Sequence, residues 1–315
     1  MHLSRAARNL VHIIGCANGV AGRQLGCERA AFALRESEIL SSCRVPHQFH
    51  KIVQETATGR HLNALPGVIQ AQEALACETR RVVKSGSELL VLGGDHSCAI
   101  GTWSGVAVAM RQAGDVGLIW VDAHMDAHTP ASSDTGNIHG MPVAHLLGEG
   151  DRRLASLLDA AAKIRPQNLC LVGIRSYEPP EKELLERLGV KVFYIEDIKK
   201  RGITDVMLEA RERVLMNTAG FGMSIDIDGF DVSDAPAVGT PEEDGIDATA
   251  FLDSLLTLDM RQLIATEIVE FLPRFDDKNR TSERLVVNLI EAIYLTKFFQ
   301  EETSRSLSER RCASL

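Results

Sequence analysis

Short apolar runs alternate with longer stretches of helical periodicity along the chain. Runs rich in Val and Ile fall at 11–14, 88–92, 117–121, 169–174, 191–195, 222–227 and 263–269. Several lack the polar alternation of a half-exposed strand, which predicts strands buried on both faces. Helical patterns occupy about 67–84, 100–112, 180–188, 205–216, 248–256 and 282–299. Pro66 precedes the first of these and Gly86 follows it, while Gly189 closes the third; both residue types are natural helix boundaries. The alternation predicts an α/β fold, a mostly parallel sheet flanked by helices on both faces. No Pro/Ser-rich linker, repeat or low-complexity tract divides the chain, so a single domain over 1–315 is expected. The polar, charged stretch 301–315 reads as a flexible tail or an interface arm.

Composition narrows the function. The 315 residues carry a formal charge of −9 with acidic and basic residues mixed, which argues against nucleic acid as a partner. The longest apolar stretches are about strand length, so no membrane partner is expected. Seven cysteines are scattered without a Cys-x-x-Cys, as in a reducing compartment. Arg5 and Arg8 precede the first acidic residue, Glu28, as in a transit peptide. The strand predicted at 11–14 leaves that leader very short, and a cytoplasmic location is the expectation.

Three segments concentrate metal-ligand side chains, and each follows an apolar run: Gly-Gly-Asp-His-Ser at 93–97, Asp-Ala-His-Met-Asp-Ala-His at 122–128 and Ser-Ile-Asp-Ile-Asp-Gly at 224–229. In a parallel sheet covered by helices the ligand crevice lies beyond the carboxyl ends of the strands, where all three fall. Strand alternation would turn Asp122, His124 and Asp126 to one side, and likewise Asp226 and Asp228. Any one Asp at a strand end is more often a cap or turn former than a ligand. The conjunction of two imidazoles and four carboxylates is different, because so many anions repel unless cations sit among them. An oxygen-rich donor set with one imidazole per ion and no thiolate suits Mn²⁺. Cys98 lies two residues after His96, but a small buried residue is the simpler reading. Two metals roughly 3.5–4 Å apart share a water and bring it to hydroxide near neutral pH. A phosphate-binding Gly-x-x-x-x-Gly-Lys and a Gly-x-Ser-x-Gly elbow are both missing; the Gly93–Gly94 pair reads as a tight turn that aims His96.

At these residues the sequence resembles the ureohydrolase family, and within it the arginases. The resemblance follows motif order over nearly the whole chain. It implies an arginase-like three-layer α/β fold, two Mn²⁺ per subunit and hydrolysis of a guanidino compound, L-arginine to L-ornithine and urea. By position it implies that His96 and Asp126 bind one ion, His124 and Asp228 the other, and that Asp122 and Asp226 bridge both. Asp126 would also orient the nucleophile and carry its proton to the leaving amine. The stretch Thr135-Gly136-Asn137-Ile138-His139-Gly140 is similar to the arginase loop Ser-Gly-Asn-x-His-Gly. The resemblance makes His139 a proton shuttle at the cleft mouth, and Thr135 and Asn137 partners of the substrate α-carboxylate. Glu270 corresponds to the guanidinium-binding Glu, suited to bidentate pairing, and Thr240 to a threonine near the substrate. Two positions depart from the pattern: His128 stands where arginases place an Asn that contacts the α-carboxylate. Glu178 stands where they place an Asp that contacts the α-ammonium. The rivals are a sister enzyme acting on a guanidino acid, agmatine or formiminoglutamate, and a non-catalytic metal-binding protein of the same fold. The family also implies a homo-oligomer, a trimer or hexamer.

Overall fold

The computed structural model describes residues 9–56 and 59–313, with side chains described through 307. Arg5 and Arg8 lie outside the described residues. Eight strands form one sheet: β1 (Val11–Ala17), β2 (His47–Gln54), β3 (Glu88–Leu92), β4 (Asp115–Val121), β5 (Leu169–Ile174), β6 (Lys191–Tyr194), β7 (Thr218–Asp226) and β8 (Leu263–Val269). Their order is β2-β1-β3-β8-β7-β4-β5-β6, and every neighbouring pair is parallel. This is the expected α/β fold with a parallel sheet between helical layers.

The period of two explains the unbroken apolar runs. Leu90, Leu92, Ile119, Val121, Met223 and Ile225 pack into one buried cluster, together with Val206 and Ala210 of the helix Ile203–Leu215 and Leu289 and Ile293 of the helix Thr281–Ala313. Their strand neighbours Leu89, Val91, Leu118 and Trp120 pack into the opposite cluster, against Leu75 of the helix Leu65–Lys84 and Trp103 of the helix Cys98–Met110. Each of these central strands therefore buries both of its faces, as a parallel sheet covered on two sides requires. Each such Leu or Ile contributes on the order of 1.5–3 kcal/mol by leaving water.

The periodicity did not predict β2. Its sequence, HQFHKIVQ, is mostly polar, and it pairs only with β1 at the sheet edge. An edge strand with an exposed face needs few apolar residues, and charged ones guard it from further pairing. Several strand boundaries also shift, and two residues expected in strands open other elements. Ile195 opens the helix Ile195–Arg201 rather than ending β6. Ile227 opens a short 3₁₀ turn, Ile227–Gly229, whose capping residue Asp226 accepts from the Asp228 N–H. The last helix runs through Ala313, so most of the 301–315 stretch is helical; within it Arg305 pairs with Glu301 one turn earlier at 3.2 Å.

Topology decides where chemistry can sit. The chain leaves β3 for β4 across two vacant positions that β7 and β8 later fill. The carboxyl ends of β3, β8, β7 and β4 thus stand side by side at the change of winding direction, the usual crevice of such sheets. Close packing holds these central strands. A Cβ on Gly222 of β7 would lie 2.1 Å from the Trp103 ring, so this position has no room for a side chain. Gly222→Ala should therefore lower the unfolding free energy by about 1–3 kcal/mol, the usual cost of overpacking. Urea denaturation checks this, with an unchanged midpoint as the contrary result.

Candidate metal centre

The segment 93–97 is shaped by Asn18. A Cβ on Gly94 would lie 1.8 Å from the Asn18 carbonyl oxygen, and neither Gly93 nor Gly94 has a positive φ. The glycines are therefore required for close approach, not for the tight turn expected. Asn18 Nδ2 donates to the Asp95 carbonyl at 2.9 Å and to Asp95 Oδ1 at 2.8 Å, and its own Oδ1 accepts from the Gly94 N–H at 3.1 Å. Asp95 spends its carboxylate on Ser97 and the Ala21 N–H, which fixes the backbone that carries His96.

His96 is fully buried and stacks on Trp120 with ring centroids 4.0 Å apart. Its Nε2 lies 3.0 Å from Ser224 Oγ, and Ser224 donates its only proton to Glu267 Oε2 at 2.7 Å. Ser224 must then accept from His96 Nε2–H, so a neutral ring aims the Nδ1 lone pair the other way. There it meets Asp126 Oδ2 at 3.1 Å, and Asp122 Oδ2 and Asp226 Oδ2 at 3.2 Å. A lone pair facing three anions calls for a cation between them. Without one, a proton serves instead. Burial opposes charge on His96, yet hydrogen bonds to Asp122, Asp126 and Asp226 outweigh it and hold the ring well above its ordinary pKa.

The carboxylates show the same conflict. Burial, then the charges of Asp228 and Asp122, push Asp226 well above the usual range. Burial, then the charge of Asp122, pushes Asp126 up to about 7. Asp122 is buried too, but hydrogen bonds from both histidines carry it below the usual range. Two donor groups result: His96, Asp122 and Asp226 form one, and Asp122, His124 and Asp228 the other. They share Asp122. Asp126 stands on the His96 side, and Asp226 is grouped with His96 but not with His124. Every donor is an oxygen or an imidazole nitrogen, so these residues fit hard or borderline divalent cations. Cys98 is not among them; its thiol donates to Glu267 at 3.4 Å.

Strand alternation does not produce this convergence. β4 ends at Val121 and β7 at Asp226, so most of the ligand segments lie beyond the pleat. His124 is held by an isolated bridge to Ser176, and Asp126 takes a φ of 50°. Glu270, just past β8, has a φ of 64°, and its N–H donates to the Gly94 carbonyl at 2.8 Å. Left-handed backbone costs a non-glycine residue on the order of 1 kcal/mol or more and persists where surroundings impose it.

A cleft of about 180 Å³ opens over the ligands. Glu270 Oε1 accepts the His96 N–H at 2.8 Å and lies 3.0 Å from His139 Nδ1, while Oε2 accepts the Cys27 thiol at 3.3 Å. Thr240 donates to Asp228 Oδ2 at 3.0 Å, and Asn137 Oδ1 lies 2.6 Å from His61 Nδ1. Thr135 accepts the Asn137 N–H at 3.3 Å. His128 Nε2 lies 2.9 Å from Glu178 Oε2, so the two residues that depart from the family pattern touch one another. All the residues singled out in the sequence thus gather at one place. The sequence pattern did not point to Cys27 or His61, which contact Glu270 and Asn137. Cys27 lies 243 residues from Glu270, and no local motif links them.

A parallel sheet between helical layers, carrying a paired carboxylate–imidazole cage at the carboxyl ends of its central strands, defines the class: an α/β protein with two adjacent candidate cation-binding groups. Comparison with known proteins narrows it further. The sequence profile of the arginase family matches residues 10–296. The arginase of Brevibacillus brevis is 39% identical over 253 residues, 79% of this chain and 80% of that one. The crystal structure of Bacillus caldovelox arginase superposes with a TM-score of 0.83 at 32% identity, covering 91% of this chain and 98% of the other. That of Entamoeba histolytica arginase in complex with L-ornithine gives 0.81 at 28% identity, covering 91% and 98%. The chain belongs to the arginase family.

The His139–Glu270 pair is open to measurement. Burial disfavours charge on His139, but the hydrogen bond and charge of Glu270 prevail and raise it to about 9. In the metal-free protein the ring should titrate near there by NMR. Glu270→Gln removes the anion that stabilises imidazolium, so the value should fall; an unchanged titration would show that the pair does not form in solution.

Proposed function

We propose that this chain hydrolyses L-arginine to L-ornithine and urea at the paired cation sites. The observation that carries the reading is the pair of donor groups sharing Asp122, with Glu270 beside them. Identity to arginases over most of the chain supports it. His96, Asp122, His124, Asp126, Asp226 and Asp228 are the proposed ligands, and the all-oxygen-and-imidazole donor set favours Mn²⁺ at both sites. Two such ions would supply a hydroxide nucleophile near neutral pH and a positive field for the charge that develops on attack.

The chain's own groups divide the remaining work. Glu270 presents a carboxylate whose orientation is set by the His96 N–H and Cys27, ready to take a planar guanidinium on both oxygens. The substrate guanidinium would displace His139, a cation already seated on the same carboxylate. Asp126, whose Oδ2 lies 3.1 Å from His96 Nδ1 on the cage's inner side, would accept the nucleophile's proton and return it to the departing nitrogen. His139, once released, is placed to pass a proton at the cleft mouth. Thr135, Asn137, His128 and Glu178 stand at the outer end, where the α-amino acid portion would lie, and Thr240 anchors Asp228.

We read residues 1–315 as one catalytic domain, in keeping with the single sheet, and as part of a cytoplasmic homo-oligomer. The scattered cysteines and the family resemblance support that setting. The structure has no helix long and apolar enough to cross a membrane among the described residues.

A second reading is a sister ureohydrolase acting on another guanidino or formimino compound; it arises because the substrate's outer end must open the His128–Glu178 contact. Urea release across arginine, agmatine, guanidinobutyrate and other guanidino acids decides between them. Arginine should lead the panel; if agmatine or guanidinobutyrate outran it by orders of magnitude, the arginine assignment would be wrong. Asp126→Asn should cut turnover at least about a hundredfold, the usual worth of a positioned proton carrier, while the fold persists. Near-normal rates in that variant would refute the role given to Asp126.

A further inference from the structure

His124 faces the cation site with Nδ1, which lies 3.2 Å from Asp228 Oδ2 and 3.4 Å from Asp122 Oδ1. Its other ring nitrogen, Nε2, points to Glu242 Oε1 at 3.6 Å. The same Glu242 oxygen accepts the Ser176 hydroxyl at 3.1 Å. Behind His96 stands the same pair of groups from other parts of the chain, the Ser224 hydroxyl and the Glu267 carboxylate. Each candidate ligand histidine therefore has a hydrogen-bonded serine–glutamate pair behind its far nitrogen, the serine facing His96 and the glutamate facing His124.

Glu242 is not left to chance. Arg175 donates to the Glu242 carbonyl at 2.9 Å and the Glu243 carbonyl at 2.9 Å. Its remaining N–H groups reach the Asp228 carbonyl at 2.8 Å and the Gly229 carbonyl at 3.0 Å. One guanidinium thus ties the loop bearing Glu242 to the turn bearing Asp228. Ser176, the next residue, is fixed by its N–H to the Ala123 carbonyl at 3.0 Å, adjacent to His124.

We propose that Glu242 is a positioning residue of the metal centre, accepting the Nε2–H of His124 so that the ring holds its Nδ1 lone pair toward the second cation. The inference rests on the paired-cation reading above. The need is physical. His96 is sealed from water, whereas the His124 side chain is 24% exposed. A half-open imidazole has two tautomers and freedom to turn, and only one arrangement binds through Nδ1. A carboxylate on the far N–H selects that tautomer, fixes the ring plane and makes the ligating nitrogen more basic. Glu242 acts through His124 and touches no reacting atom in this assignment.

The test titrates Mn²⁺ into metal-free wild type, Glu242→Gln, Glu242→Ala and Ser176→Ala, with calorimetric stoichiometry and affinity as readout. His124 ring ¹⁵N shifts are read in parallel with Zn²⁺ as a diamagnetic probe. Wild type should bind two ions. Glu242→Ala should weaken one of them by about 10–100-fold and leave the other unchanged, the range typical for loss of such a partner. Glu242→Gln keeps an acceptor without the charge and should fall between; Ser176→Ala should lose less. The ¹⁵N shifts should report the Nε2–H tautomer in wild type and a mixture in Glu242→Ala. Affinities for both ions within about threefold of wild type, with unchanged shifts, would overturn the role of Glu242 while leaving the metal centre intact. Fewer than two ions on wild type would overturn the paired-cation reading and this inference with it.

Discussion

Mutual repulsion among buried carboxylates is the constraint on which the rest of the molecule depends. Asp122, Asp126, Asp226 and Asp228 are all at most 6% exposed and share one small space with two imidazoles. Removing an anion from water is expensive, and packing several together multiplies the cost. The groups answer by abandoning their ordinary titration, with Asp226 and Asp126 driven up and both histidines held charged. Such a cluster is a poor way to stabilise a fold. It makes sense as a cage whose charge is completed by cations, which is why the fold must be rigid before the cage is filled.

The rigidity comes from outside the cage. Two helical layers bury both faces of the central strands, and their carboxyl ends supply the turns. Beyond those ends the backbone is forced. Asp126 and Glu270 adopt positive φ, and each is tied back, Asp126 by its carbonyl to the Val143 N–H at 2.9 Å and Glu270 by its N–H to Gly94. Polar groups are then chained outward from the cage. His96 leads to Ser224, Glu267 and the indole of Trp103, which donates to Glu267 at 3.2 Å. Glu267 is fully buried, and Cys98, Trp103 and Ser224 all donate to it, so it anchors the relay.

How much of this the sequence disclosed depends on the length scale of each feature. The central strands were legible because burial on both faces leaves a run of Val, Ile and Leu, and the ligand motifs were legible because six donors occur in three short segments. β2 was not, since an edge strand carries its fold signal in hydrogen bonding rather than apolar pattern. The convergence of Asp122, His124 and Asp126 was expected for the wrong local reason: a pleat was assumed where turns operate. Gly94 was likewise read as a turn residue when its requirement is the nearness of Asn18, 76 residues away. Cys27 and Glu242 were invisible because their partners, Glu270 and His124, are remote in sequence, and no periodicity encodes contacts of that kind.

The outer pocket shows how two departures can compensate. His128 and Glu178 each replace a residue with a different charge or length, and separately each would disturb recognition of an amino acid. In this fold they lie 2.9 Å apart, with Glu181 Oε2 a further 0.5 Å more distant from the same His128 nitrogen at 3.4 Å. An α-amino acid can open such a contact without loss, because it brings an ammonium for Glu178 and a carboxylate for His128. A substrate with only a cationic end would take Glu178 and leave His128 facing Glu181 alone, at 3.4 Å. On the proposed function the pair would act as a two-sided filter, favouring a ligand that replaces both halves of the contact it opens. On that reading, selectivity for the amino-acid end would follow from the chemistry of the displaced contact.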